Sequence, residues 1–367
     1  MSRTNREIFG RANFDIPKRR SSASISTFTK GTFSNFLKDI RSFHGAIAEK
    51  LKPNLELISA QCDSISSALD LYLKGGTAVA YQVLKKCLDE LNEIQVLPIQ
   101  QVPKEGNESL YRVRTSINNQ LRKEDLFHIP FELREKVSTQ RYSIPGLPCL
   151  YLADSIFVCW EEMGRPDISQ MYVSRFDLSS SHFKFLFFTV NTDTIRRRCF
   201  TSDARGKFVN QFVSFLTYWP ILSACSTIVE KPSDTFKPEY IIPQLVLQWV
   251  VSERKLDGVQ YRSNRIKVDS HSTGSFNNIV VPVLDANDTG FCSQLKNKVK
   301  LTNPISWQLL DISNSLQNIA RKDDYEIKDL RRAMFVELIG GEKTIYVDSK
   351  FGLMEEKLKG MKATHIA

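Results

Sequence analysis

From residue 34 the chain becomes periodic. Phe36, Ile40, Phe43, Ile47 and Leu51 recur every three or four residues behind Ser34, a residue type that caps helices, and Pro53 ends the run. A second stripe, Leu55, Ile58, Cys62, Ile65, Leu69 and Tyr72, stops at Gly75 and Gly76. A third, carrying Ala80, Leu84, Leu88 and Leu91, starts at Thr77 and stops before Pro98. The spacing predicts three amphipathic helices over 34–96, after a Ser/Thr-rich, aperiodic stretch at 1–33 that reads as a flexible tail. From about 108 the texture changes to short strand-like runs: residues 110–114, 149–152, 171–176, 183–190, 259–262 and 279–284. Between them, residues 205–251 read as helical, with Phe208, Phe212, Phe215 and Trp219 on one face, and Leu309, Ile312, Leu316 and Ile319 return to helical spacing. The expected class is α+β, divided into a basic tail at 1–33, a helical unit at 34–105 and a larger domain at 106–367.

Composition narrows the setting. Of 367 residues, 42% are hydrophobic and 25% charged, enough for a large domain and a smaller one. No apolar run reaches the roughly 18 residues of a membrane-spanning helix, and the N-terminus lacks the apolar core of a secretory signal. Seven cysteines with no CxxC pairing argue against a disulfide framework or a zinc knuckle. A cytoplasmic protein with free thiols and no resident metal is expected. Of the net charge of +9, much is local: Arg3, Arg6, Arg11, Lys18, Arg19 and Arg20 face only Glu7 and Asp15 in the first 20 residues. Such a tail is either a solvated terminus or a contact for nucleic acid or an acidic partner.

The densest chemistry lies in residues 141–162, RYSIPGLPCLYLADSIFVCWEE. The Pro-Gly segment is a turn, residues 149–152 a buried strand, Asp154 and Ser155 are capping types, and Glu161 and Glu162 lie in the helix that follows. Adjacent helical residues point in different directions, so only one glutamate can face a pocket there. Neither GxGxxG nor GxxxxGK[ST] occurs, so a dinucleotide would be gripped by side chains, chiefly arginine, whose planar fork binds diphosphate while staying charged. The triplet Arg196, Arg197 and Arg198 reads as an exposed charge run. Cys149 and Cys159 read as buried thiols, and His128 as a satisfied structural histidine.

This stretch, with LYRV at 110–113, FHIPF at 127–131, LDGVQYRS at 256–263 and FGLME at 351–355, resembles the RES-domain family, toxin-like NAD-consuming proteins named for an arginine, a glutamate and a serine. The resemblance implies an ADP-ribosyltransferase-like core of two packed β-sheets with peripheral helices. It implies NAD as substrate and cleavage of the nicotinamide–ribose bond, with inorganic phosphate or water as acceptor. Arg112 would hold the phosphates, with Arg114 as fallback, and Tyr151 would contact nicotinamide or ribose. Glu162, or else Glu161, would stabilise the cationic ribose, and Ser263 would bind a phosphate or ribose oxygen. Arg141 and Arg262 are further candidate phosphate contacts, and Asn278 a weaker one. Such an enzyme needs restraint by an antitoxin-like or regulatory partner, as in toxin–antitoxin or phage-defence systems. Two alternatives stand beside it: transfer of ADP-ribose to a macromolecule, and a non-catalytic binding module built around the helical unit.

Overall fold

A computed structural model describes residues 3–21, 23–102, 109–117, 119–190, 192, 195, 207–266, 276–285, 287–312, 334–339 and 342–366. Its helices in chain order are α1 (Arg3–Phe9), α2 (Ile25–Ile40), α3 (Ala46–Leu51), α4 (Leu55–Leu73), α5 (Thr77–Glu93), α6 (Ile156–Glu162), α7 (Lys207–Cys225), α8 (Ile241–Glu253), α9 (Ser293–Lys298), α10 (Trp307–Ile312) and α11 (Lys350–Lys359). Its strands are β1 (Ile99–Gln101), β2 (Leu110–Thr115), β3 (Cys149–Ala153), β4 (Met171–Asp177), β5 (Lys184–Phe188), β6 (Gly258–Arg262), β7 (Asn277–Pro282), β8 (Lys300–Leu301), β9 (Ile305–Ser306), β10 (Phe335–Ile339) and β11 (Glu342–Ile345). The protein is α+β with a helical N-terminal part, and among the described residues no helix is long and apolar enough to cross a membrane. The expected helix at Leu316 and Ile319 and the triplet Arg196–Arg197–Arg198 lie outside the described residues.

Two compact units divide the chain. The first unit joins residues 1–99 to 139–144 and 190–254, and the second takes 100–138, 145–189 and 255–367. The division therefore departs from the expected one, in which the helical unit was a continuous stretch ending near 105. In the first unit α7 and α8 complete the core of α2, α4 and α5: Phe36 stacks on Trp219 with ring centroids 4.1 Å apart. Pro220 interrupts α7, and buried Gln61 of α4 repairs the break. Its Nε2 donates to the Thr217 carbonyl at 3.0 Å and its Oε1 accepts from the Ile221 N–H at 3.1 Å.

Residues 1–33, expected to be flexible, are instead largely part of this core. Ile8, Phe9 and Phe14 are buried, Arg19 bridges Ile228, and Arg20 pairs with Glu230 and Glu239. Arg11 likewise pairs with Asp39. Helix α2 starts ten residues before the expected Ser34: Ser24 is the N-cap, its Oγ accepting from the Thr27 N–H at 3.1 Å. Its buried stripe runs Ile25, Thr29, Phe33, Phe36 and Ile40, and a threonine at the second position hid the period.

The second unit is built on a nine-stranded mixed sheet of order β1-β5-β6-β7-β3-β2-β4-β8, with β9 also on β4. Only β5–β6 is parallel among its registered pairs. β2 and β3 share a single registered pair, Tyr111 with Ala153, whereas β2 runs beside β4 over six residues and β3 beside β7 over five. The sheet is thus nearly parted between β3 and β2. One apolar cluster gathers Leu110, Leu152, Phe176 and Ile279, and the other gathers Tyr111, Val113, Ala153 and Val173 with α6 and α11. β10 and β11 form a separate two-stranded sheet. Gly258 lets β6 approach β7: a Cβ there would lie 2.0 Å from the Val280 carbonyl oxygen.

Candidate active site

The turn–strand–cap–helix order expected for 145–162 is present. Gly146 turns the chain with φ +73°, and β3 then pairs with β7 from Cys149 opposite Pro282 to Ala153 opposite Asn278. Asp154 closes the ladder: its N–H donates to the Asn277 carbonyl at 3.0 Å, and its Oδ2 accepts from the Asn277 N–H at 3.0 Å. Ser155 is the N-cap, extended at φ −152°, with Oγ accepting from the Val158 N–H at 3.2 Å. The next free donor of the helix, the Ile156 N–H, goes to Glu355 Oε1 at 2.8 Å. Glu355, on α11, is 1% exposed and also accepts from the Tyr346 hydroxyl. The FGLME segment is therefore built against the helix that carries the glutamate pair, and Phe351 packs on Trp160 with centroids 5.5 Å apart.

At the other end of α6 the glutamates part. Glu161 turns to Arg165, whose Nε and Nη2 lie 3.0 and 2.7 Å from its Oε1. Glu162 turns to the end of the sheet. Its Oε1 accepts from Ser263 Oγ at 2.6 Å and from Asn278 Nδ2 at 2.8 Å, and its Oε2 lies 3.4 Å from Arg265 Nε. Ser263 follows β6 directly, and its N–H donates to the Phe276 carbonyl at 2.7 Å, so the backbone holds it at the mouth of the β6–β7 pair. Ser263 and Asn278 are buried, while the Glu162 side chain keeps 33% exposure. The result is a carboxylate fixed by two buried neutral donors on one oxygen and open on the other side, with a cation at its edge.

The other expected residues fall into three groups. Tyr151 and Tyr261 share a sheet face with Asn278, since Tyr261 lies opposite Asn278 and Tyr151 opposite Val280, two residues on. Burial raises the Tyr151 phenol well above its ordinary pKa, so it stays neutral. Arg112 stands beside the one β2–β3 pair. Burial, and then repulsion from Arg114, bring its pKa down to about 9, still cationic at neutral pH, and its buried Nη1 has no hydrogen-bond partner among the described residues. Its charge acts on Tyr151, Cys149 and Cys159. Arg262 lies at the end of β6 opposite Asn277.

Arg141 is not brought to this cluster. It belongs to the first unit, where Nη1 donates to the carbonyls of Cys225 at 3.0 Å and Thr227 at 2.9 Å and the guanidinium covers the Tyr240 ring. This guanidinium, a candidate phosphate contact in the sequence, is here engaged by backbone carbonyls at and just beyond the end of α7. Arg265 was missed in the sequence, since nothing in SNRI marks it. Glu161 carried a readable signal, Arg165 four residues on, the spacing of a helical ion pair. His128 is structural: its Nδ1 lies 2.8 Å from the Ile129 carbonyl oxygen, and its Nε2 accepts from the Cys292 N–H at 3.0 Å. Among the described residues no group of three or more His, Cys, Asp and Glu side chains is placed to hold a metal.

No family model matches the chain, and no solved structure matches it. It is 30% identical over 345 residues to a Bacillus subtilis (strain 168) protein named "Putative toxin YopC", the alignment covering 89% of this chain and 74% of that protein.

Proposed function

The chain belongs to the family of the Bacillus subtilis protein named "Putative toxin YopC", and from that premise we propose that it is a toxin-like enzyme of the RES type that cleaves the nicotinamide–ribose bond of NAD. The observation that carries this reading is the Glu162 cluster. The arginine, glutamate and serine picked out by the resemblance are far apart in sequence, and two of them, Glu162 and Ser263, are in direct contact. Asn278 completes the hold on the carboxylate.

The chemistry follows from charge. Nicotinamide departs with both electrons of the ribose C1′–N bond and leaves positive charge on the ribose. A fixed carboxylate beside C1′ lowers the energy of that oxocarbenium-like state, as in glycoside cleavage. Ser263 and Asn278 hold the carboxylate in place beforehand, so little reorganisation is needed when the charge develops. Phosphate or water then adds to the same carbon, giving ADP-ribose phosphorylated at that position or free ADP-ribose, and the acceptor's proton passes to solvent or to Glu162. Arg112, a buried cation with an N–H that no described residue accepts, is suited to a phosphate group of the substrate or acceptor. Arg262 is a second candidate. Tyr151, neutral and on the Asn278 face, is suited to stack on nicotinamide. Depletion of a central cofactor calls for restraint, so an antitoxin-like partner is part of this proposal.

The test is NAD consumption by the purified protein with and without phosphate, resolving the products. Glu162→Gln should lower turnover by about 10²–10³-fold, the scale of losing one transition-state electrostatic contact. Glu161→Gln, which touches only the Arg165 pair, should leave it within a few fold. Equal effects of the two substitutions, or intact NAD with the unaltered protein, would refute the assignment.

A further inference from the structure

Arg265 is the one member of the Glu162 cluster that neither the sequence nor the roles above account for. Its Nε stands 3.4 Å from Glu162 Oε2, longer than a good charge-assisted hydrogen bond, and its side chain is 53% exposed. A pair so long and so wet opens at little expense. The other carboxylate oxygen is held differently, by two buried neutral donors at 2.6 and 2.8 Å. The guanidinium also lies at the C-terminal end of α6, where the helix dipole favours a cation. Gly164, just past the end of α6, marks the place: a Cβ on that residue would be in ordinary contact with Arg265 Nη1, at 3.9 Å.

This position conflicts with the chemistry proposed for Glu162. A cation on Oε2 lowers the value of the carboxylate to a second cation forming on the ribose. An anionic substrate resolves the conflict, because diphosphate offers a guanidinium a stronger, bidentate partner than one edge of a carboxylate. We propose that Arg265 is a displaceable counter-ion of Glu162: it masks the carboxylate in the free enzyme and moves onto the diphosphate of the bound dinucleotide, so that only a diphosphate-bearing substrate meets an unmasked Glu162. This rests on the NAD-cleaving reading and adds to it a specificity residue. No bond is made or broken in the exchange. One ion pair replaces another.

The experiment has a binding arm and a turnover arm, both on the full chain. Binding of ADP, a diphosphate lacking the scissile bond, is measured by calorimetry for the unaltered protein, Arg265→Ala, Arg265→Lys, Glu162→Gln and the double variant Glu162→Gln/Arg265→Ala. Arg265→Ala should weaken ADP about tenfold and Arg265→Lys less. Glu162→Gln should tighten it several-fold by freeing the arginine, and the double variant should bind as weakly as Arg265→Ala. Turnover is compared for NAD and nicotinamide riboside, which has the same scissile bond and no diphosphate. Arg265→Ala should lower kcat/KM for NAD and raise it for the riboside. The inference is overturned if Arg265→Ala binds ADP like the unaltered protein, if no variant binds ADP, or if both substrates lose turnover equally. If the ADP pattern holds and no form of the protein consumes NAD, Arg265 stands as a diphosphate ligand and the NAD reading falls. If NAD is consumed and Arg265→Ala changes neither arm, the NAD reading stands and this inference falls.

Discussion

Glu161 and Glu162 are separated by one peptide bond and have different surroundings: a half-exposed arginine holds one, while the end of a β-sheet holds the other. That difference was partly legible, since Arg165 stands at helical pairing distance from Glu161. Arg141 shows the opposite case. Its neighbours in sequence, a tyrosine and a Pro-Gly turn, suit a ligand site as well as a buttress, and the carbonyls it serves come from 84 and 86 residues away. Local pattern has no access to partners at that range. His128 permits a prediction at this scale. Burial first, and the charge of Arg112 in addition, bring its pKa from 6.5 to about 4, against the pull of the Ile129 carbonyl. Its Nε2 must stay unprotonated to accept the Cys292 N–H. The unfolded chain therefore takes up this proton first as pH falls, so stability is complete above about pH 6.5 and declines toward pH 4. The two pKa values correspond to about 3 kcal/mol over that interval. Urea midpoints at pH 7 and pH 4 should show the unaltered protein losing about that much more than His128→Gln.

At the scale of elements, α6 has two turns, too few to be stable alone, so its ends decide where Glu162 sits. Ser155, a capping type before an apolar run, was readable as its start. The second cap, Glu355, was not: its segment was recognisable only as a recurring block, and its task depends on Tyr346 and Ile156 meeting in three dimensions. Glu355→Ala strands a buried N–H and a buried hydroxyl and should cost about 2–4 kcal/mol in denaturant unfolding. Glu355→Gln keeps an acceptor oxygen and should cost less than half as much. Equal losses for the two would mean that packing, rather than hydrogen bonding, gives Glu355 its weight. Strands β2 to β7 were legible as short apolar and aromatic runs, whereas β1 and β8 to β11 were not. The order of the strands was not legible either, because β5, β6 and β7 become neighbours through pairings up to 73 residues apart in sequence.

In the molecule as a whole, the first unit draws on three separate stretches of chain. The sequence showed helices at 34–96 and again at 205–251, but periodicity does not say which helices share a core. The pairing of Phe36 with Trp219, and of Gln61 with the break at Pro220, joins them. Deleting residues 1–99 should therefore not release a soluble domain. It uncovers the apolar faces of α7 and α8, and the product should be aggregated or bind a hydrophobic dye strongly; a soluble monomer with cooperative unfolding would contradict this. Glu355 has a further consequence for how such a protein is made. Translation delivers Ile156, at the start of the helix that carries Glu162, 199 residues before the carboxylate that seats it. A nascent chain, or one cut short before α11, carries Glu162, Ser263 and Asn278 without the side chain that seats α6, so the cluster takes its full geometry only after α11 has been made and has folded back.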